Sequence, residues 1–319
     1  MMTQILIAVA AGCASALMFV SIVSGALISL VLFYLAPLPL MVAALGWGAA
    51  SALVGGIAAS LLIGIVLGLP YMVAFAVTIA LPAWWLGHLA LLARPAEAAA
   101  ANGAQPALDW YPPGRLLAWM AAFASLTTIT ALLSLGFDAA SITDSLKSGL
   151  TRLLGMREGG PDADTEKVVA VFAAIAPVAA TMVALATLVL NLWLAGKITR
   201  TSGRLPRPWP ALQALELPPM TLVALAVALA LCFLGGLLAM IAQIVTAALV
   251  MAYAFTGFAV LHTLTRSTAM RGLWLGSTYA AVVVFGWPLV VVALLGIADE
   301  LIGFRRRKAQ RLKPPPLSS

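Results

Sequence analysis

The chain has 319 residues, 63% of them hydrophobic and 9% charged, and a mean hydropathy of +1.07. A soluble domain carries about a quarter charged residues, so a water-solvated globule is excluded. Lys and Arg outnumber Asp and Glu by 18 to 11, for a net charge of +7, but the basic residues sit in loops and at the C-terminus, as in membrane proteins with a positive cytoplasmic face; this argues for the lipid bilayer, and against nucleic acid, as the partner.

Residues 1–93 contain no Asp, Glu, Lys or Arg, and the first formal charge is Arg94. Ionised side chains are costly at the bilayer centre, whereas Leu, Ile, Phe and Val are favoured there. One crossing takes about 20 apolar residues, so this stretch crosses about four times. Its start, Met1-Met2-Thr3-Gln4, has no basic n-region and no cleavage pattern follows, so it reads as a retained first helix. Apolar runs fall at 4–22, 24–45, 47–68, 70–92, 114–136, 168–195, 219–238, 240–263 and 273–298. The expected fold class is all-α, a polytopic transmembrane helix bundle of about 8–9 spans. Residues 1–304 form one transmembrane domain and 305–319 a basic, Pro-rich cytoplasmic tail. The expected location is the cell (inner) membrane, multi-pass.

In the first helix Ala8, Gly12 and Ala16 recur at four-residue spacing, with Ala10 and Ala14 beside them. Pro37 and Pro39 interrupt the second run. Proline withholds a backbone donor, so they mark either the end of that helix or a broken helix beside a cavity. Next comes a ladder of small residues at every fourth position: Gly48, Ala52, Gly56, Ser60, Gly64 and Gly68. Such a face lets another helix backbone approach closely. It serves either internal packing or the docking of a partner.

Residues 94–113, with Pro95, Pro106, Pro112 and Pro113, read as a flexible loop. Within 137–167, Ser141 to Met156 reads as an interfacial amphipathic helix, with Ser141 and Asp144 as a capping box and Ile142, Leu146, Leu150 and Leu153 as its apolar stripe. Residues 196–218 form a basic loop carrying Lys197, Arg200, Arg204 and Arg207. That loop and the tail should both be cytoplasmic, yet three runs separate them. Either Pro288 breaks 273–298 into two half-helices or one basic region lies outside, and the tail is the stronger anchor.

Polar residues inside apolar runs are few. Trp47, Asn191, Gln243 and Tyr253 are the candidate lining of a mid-membrane pocket, with interhelical hydrogen bonding as the plainer role of Asn191 and Gln243. His88, beside Trp84 and Trp85, reads as interfacial, and His262 as a residue at the end of a span. Cys13 and Cys232 are isolated small hydrophobes, neither a metal set nor a disulfide framework. No nucleotide-binding loop, catalytic motif or cofactor signature stands out, so no cofactor or catalytic residue is implied. The leading function is transport-related, a small-molecule substrate-binding subunit with a separate energising partner such as an ATPase; the ligand is not specified. The alternative is a non-transporting membrane scaffold. An enzyme acting on a lipid-linked substrate stands third.

Five stretches together carry a resemblance: Tyr34 to Leu40 with Gly46-Trp47-Gly48, Asn191 to Ala195, Ser202 to Pro210, Gly257 to His262, and Leu295 to Arg305. They resemble the YybS-like membrane proteins, a family known as domain of unknown function 2232. The family's terminal Gly-x-x-Asp followed by Phe-Arg is similar to Gly296, Asp299, Phe304 and Arg305 here. The resemblance implies a membrane protein and assigns no activity. More weakly, the N-terminal third resembles the substrate-capturing components of energy-coupling-factor transporters, with Ala10 and Ala14 at the place of their Ala-x-x-x-Ala and the Pro and Gly spacings following.

Overall fold

The computed structural model describes residues 2–95, 108–153, 163–211, 215–305 and 307. In hydrocarbon a segment must satisfy its own backbone groups, which apolar sequence does as helix. The first run forms α1, Met2–Val20, and closes in a tight turn over Ser21–Ser24. The second run is divided into α2, Leu27–Tyr34, and α3, Leu38–Trp47. Proline causes the division: Pro37 and Pro39 have no N–H, and the Leu38 amide turns back to the Leu35 carbonyl at 2.9 Å.

Helix α4, Ala49–Leu67, lies between Gly48 at φ 97° and Gly68 at φ 98°. Only glycine adopts that conformation readily, so the two outer members of the ladder are turn residues and only the inner four lie on the helix. The fourth span runs from α5, Leu69–Phe75, through a widened turn at Ala76–Ala80 into α6, Leu81–Ala90. The widened turn directly precedes Pro82, which has no N–H to offer the Thr78 carbonyl.

Where a flexible loop is expected from 94 to 113, its described ends pair as a ribbon. β1, Ala93–Pro95, runs antiparallel to β2, Leu108–Trp110, with Arg94 opposite Asp109. Their side chains form an exposed ion pair at 3.0 Å. The intervening residues 96–107 lie outside the described residues. Helix α7 covers Pro113–Leu133.

Helix α8, Ala139–Leu153, corrects the expected capping box. Its cap is Asp138, whose Oδ1 accepts the amides of Ala140 at 3.0 Å and Ser141 at 2.9 Å. These bonds to the charged form hold the Asp138 carboxyl below its ordinary value. Ser141 donates its hydroxyl to Asp138 Oδ2 at 2.7 Å. From the apolar stripe, Ile142 is fully buried against Leu132 and Ile244, with Leu146 packed alongside, whereas Leu153 is exposed. The end of the expected helix, 154–156, lies outside the described residues.

Helix α9, Ala163–Thr201, is 39 residues long, ~58 Å at 1.5 Å per residue, so it extends beyond the hydrocarbon layer. Then follow α10, Met220–Leu231, and α11, Gly236–Leu264. These two are antiparallel: Thr221 meets Tyr253, and Cys232 meets Thr246. The ninth run is broken at Gly286 into α12, Arg271–Phe285, and α13, Pro288–Ile302. Each has 15 residues, ~22 Å, which is short for a crossing. Among the described residues the architecture is thus an all-α bundle with seven helical spans long and apolar enough to cross a membrane, two of them divided as described (α2 with α3, α5 with α6), plus the shorter Met220–Leu231.

Small residues bring the helices together. A methyl group on Gly12 or Gly55 would run into the backbone of the other helix, so α1 and α4 touch main chain to main chain. Gly257 of α11 and Gly296 of α13 do the same against Val292 and Tyr253. The central core gathers Leu40, Phe75, Leu86, Met120, Leu185 and Tyr253. The outer surface is apolar too: Ile65 is 84% exposed, Val283 83% and Phe233 89%. Such an exterior suits lipid tails, not water.

Candidate functional site

The four residues expected to line a pocket lie in different settings. Asn191 is fully buried on α9. Its Nδ2 donates to the Tyr34 carbonyl at 2.9 Å and to the Thr187 carbonyl at 2.8 Å. Tyr34 lies at the proline break, where the Leu38 amide has turned to Leu35 instead, so Asn191 supplies the donor that the broken helix withholds from this carbonyl. Tyr253 is also fully buried, and its hydroxyl meets Thr221 Oγ1 at 3.0 Å. Trp47 lies at the end of α3 with the Arg204 guanidinium over its ring at 4.6 Å. Gln243 is exposed on α11. The structure does not bring these four around one cavity.

The inner ladder faces α5 and α6. A Cβ on Gly56 would stand 3.0 Å from Ala80 Cβ, and one on Gly64 would press on Met72. Ser60 returns its hydroxyl to the Gly56 carbonyl at 2.7 Å. A shallow apolar groove of about 360 Å³ runs along Ala52, Gly56 and Ser60 against Ala76, Ala80 and Trp84. Of the histidines, His88 stacks with Trp84 and lies tilted beside Trp85. His262 Nε2 meets the Tyr279 hydroxyl at 2.9 Å.

The charged side chains gather elsewhere. A cavity of about 570 Å³ opens between the start of α7, the approach to α10, and the packed pair α11 and α13. Five charged residues line it: Arg115, Glu216, Asp299, Glu300 and Arg305. Asp299 and Arg305 form its fixed wall. The Arg305 guanidinium donates Nε to Asp299 Oδ2 at 2.6 Å, and the Arg305 amide reaches Oδ1 at 2.9 Å. Their side chains are 6% and 4% exposed. Arg305 Nη1 also donates to the Leu215 carbonyl at 3.1 Å, tying the end of α13 to the segment before α10. Glu300 faces the Tyr253 hydroxyl from the next position on α13. Glu216 and Arg115 are the exposed members at the rim.

Sequence reading missed this convergence. Asp299 and Glu300 fall just after the ninth apolar run, Arg115 stands at the start of the fifth, and Glu216 lies near the end of the basic loop. The available signal was the quoted terminal stretch itself: Gly296 allows the close approach of α11, and Asp299 with Arg305 forms the lock.

No curated protein and no solved structure matches the chain. Residues 13–300 match the profile of the family described as "Predicted membrane protein (DUF2232)". With that match over an apolar bundle of several membrane-crossing helices, the chain belongs to DUF2232, the family that its YybS-like resemblance indicated.

Proposed function

We propose that this protein is a transport-related, solute-binding component of the cell membrane, dependent on a separate energising partner such as an ATPase. The supporting observation is the convergence of Arg115, Glu216, Asp299, Glu300 and Arg305 on one cavity, in a chain with only 9% charged residues. Ionisable groups that converge on a cavity of an apolar bundle are candidates for a solute path, and a buried ion pair such as Asp299–Arg305 is by itself weak evidence of a purely stabilising role. Three acids, Glu216, Asp299 and Glu300, line the cavity with two arginines, Arg115 and Arg305, so its lining carries one negative charge in excess. That balance favours a small zwitterion or organic cation. Tyr253, expected in the pocket, does not line this cavity but neighbours Glu300 on its wall.

The test is ligand-induced thermal stabilisation of the purified protein, probed with arginine, lysine, choline and spermidine. At least one probe raises the melting temperature, and Glu300→Gln removes that rise while the unliganded melting temperature holds. A panel without effect, or an effect untouched by Glu300→Gln, contradicts the reading.

The groove beside Gly56 favours a second reading, a scaffold that receives a partner helix. Under that reading Gly56→Leu abolishes co-purification of a membrane partner while the chain stays folded. If that variant fails to insert or fold, the ladder is internal packing.

A further inference from the structure

A second cavity, about 220 Å³ in volume, lies between α7, α9 and α11. Leu116, Leu117, Met120, Leu192 and Phe255 give it apolar walls, and Trp209 stands at its edge. Arg207 holds the covering loop in place, donating Nη1 to the Ala90 carbonyl at 3.2 Å and Nη2 to the Tyr111 carbonyl at 2.8 Å. Three further cations rest on tryptophan rings, two of them on Trp209 at this edge and one on Trp47 at the end of α3. Lys197 Nζ is 5.5 Å from the Trp193 centroid and 4.9 Å from that of Trp209. Arg200 is 5.4 Å from the Trp209 centroid and Arg204 4.6 Å from that of Trp47.

These cations lack counter-charge. The sequence places no Asp or Glu between Lys167 and Leu215, and among the described residues none of the three pairs with a carboxylate. Tryptophans mark the headgroup level of a bilayer, which sets these cations at phosphate depth, two of them on the Trp209 ring that lines the apolar cavity. We propose that this is a binding site for an anionic phospholipid, with part of one acyl chain in the cavity and the phosphate at Lys197 and Arg200. In a bilayer an acyl chain is surrounded by apolar matter either way, so the cavity sets the pose and the cations set the headgroup preference.

The test is native mass spectrometry of the delipidated protein with phosphatidylglycerol and phosphatidylcholine of identical chains. Phosphatidylglycerol is retained at least tenfold better. The double change Lys197→Ala with Arg200→Ala, at two exposed positions, erases that preference. Leu117→Trp, which fills the cavity, weakens retention of both lipids, and glycerol phosphate does not compete. Equal retention of the two lipids overturns the proposal, as does a preference that survives the double change. Competition by glycerol phosphate as strong as that by the lipid also overturns it, in favour of a free-anion site.

Discussion

Asn191 shows how one polar side chain is used where water is absent. Its Nδ2 bonds to the Tyr34 carbonyl, which the proline break has left without a helical donor. Asn191→Leu should therefore lower stability by about 1–3 kcal/mol, the usual cost of an orphaned buried polar group. Asn191→Asp should be worse, because a carboxylate would face a carbonyl oxygen; thermal denaturation of the detergent-solubilised protein reads both. The Asp299–Arg305 pair makes a related prediction. Arg305→Met leaves a buried carboxylate uncompensated, at a cost of about 3–5 kcal/mol, whereas Arg305→Met combined with Asp299→Leu costs less than the single change. Asp138 gives a pH dependence at an exposed site. Its carboxyl titrates lower in the fold than in the unfolded chain, so its contribution is complete above the ordinary carboxylate value and is lost as pH falls through the lowered one. Amide exchange at Ala140 and Ser141 should accelerate over that acidic window. Asp138→Asn should flatten the dependence.

Among the helices, close approach between small residues does the work that hydrophobic burial does in water. Gly55→Leu must push α1 from α4, because the added atoms meet the Ala8 backbone; overpacking of this kind costs about 1–3 kcal/mol or more. Gly149→Ala on α8 has open space around it, so it should be neutral or slightly stabilising. A melting-temperature comparison of the two variants separates packing glycines from incidental ones. The contrast also shows what the sequence can reveal. The break at Pro37 and Pro39 is legible because a missing N–H acts locally. The four-residue spacing is equally visible, but it does not say that Gly48 and Gly68 take positive φ and end the helix, nor that Gly55, outside the ladder, meets the backbone of α1. Asp138 precedes the expected cap by three residues because two acidic candidates, Asp138 and Asp144, flank Ser141 and only the fold selects between them.

At the scale of the whole molecule, the apolar composition alone predicts the helical bundle, since lipid leaves few other ways to satisfy a backbone. The charged cavity was not legible, because residues 115, 216 and 299–305 come together only through tertiary packing and no local pattern links them. The contact of Arg305 with Leu215 puts the basic loop and the start of the tail at one end of the bundle, which the odd count of apolar runs left unresolved. Reporter fusions after residues 203 and 307 should therefore share one membrane side; opposite sides would mean that α12 and α13 together cross.

The most direct test is whether water fills the space between these charges. In a chain carrying Cys13→Ser and Cys232→Ser, Leu222→Cys places a thiol on the cavity wall, and Val227→Cys places one on the exposed apolar face of α10. A hydrophilic thiosulfonate applied to membranes should modify Leu222→Cys within tenfold of the rate at Ser202→Cys in the loop and leave Val227→Cys unmodified. If Leu222→Cys proves as unreactive as Val227→Cys, the charges enclose no aqueous site and the solute-binding account fails.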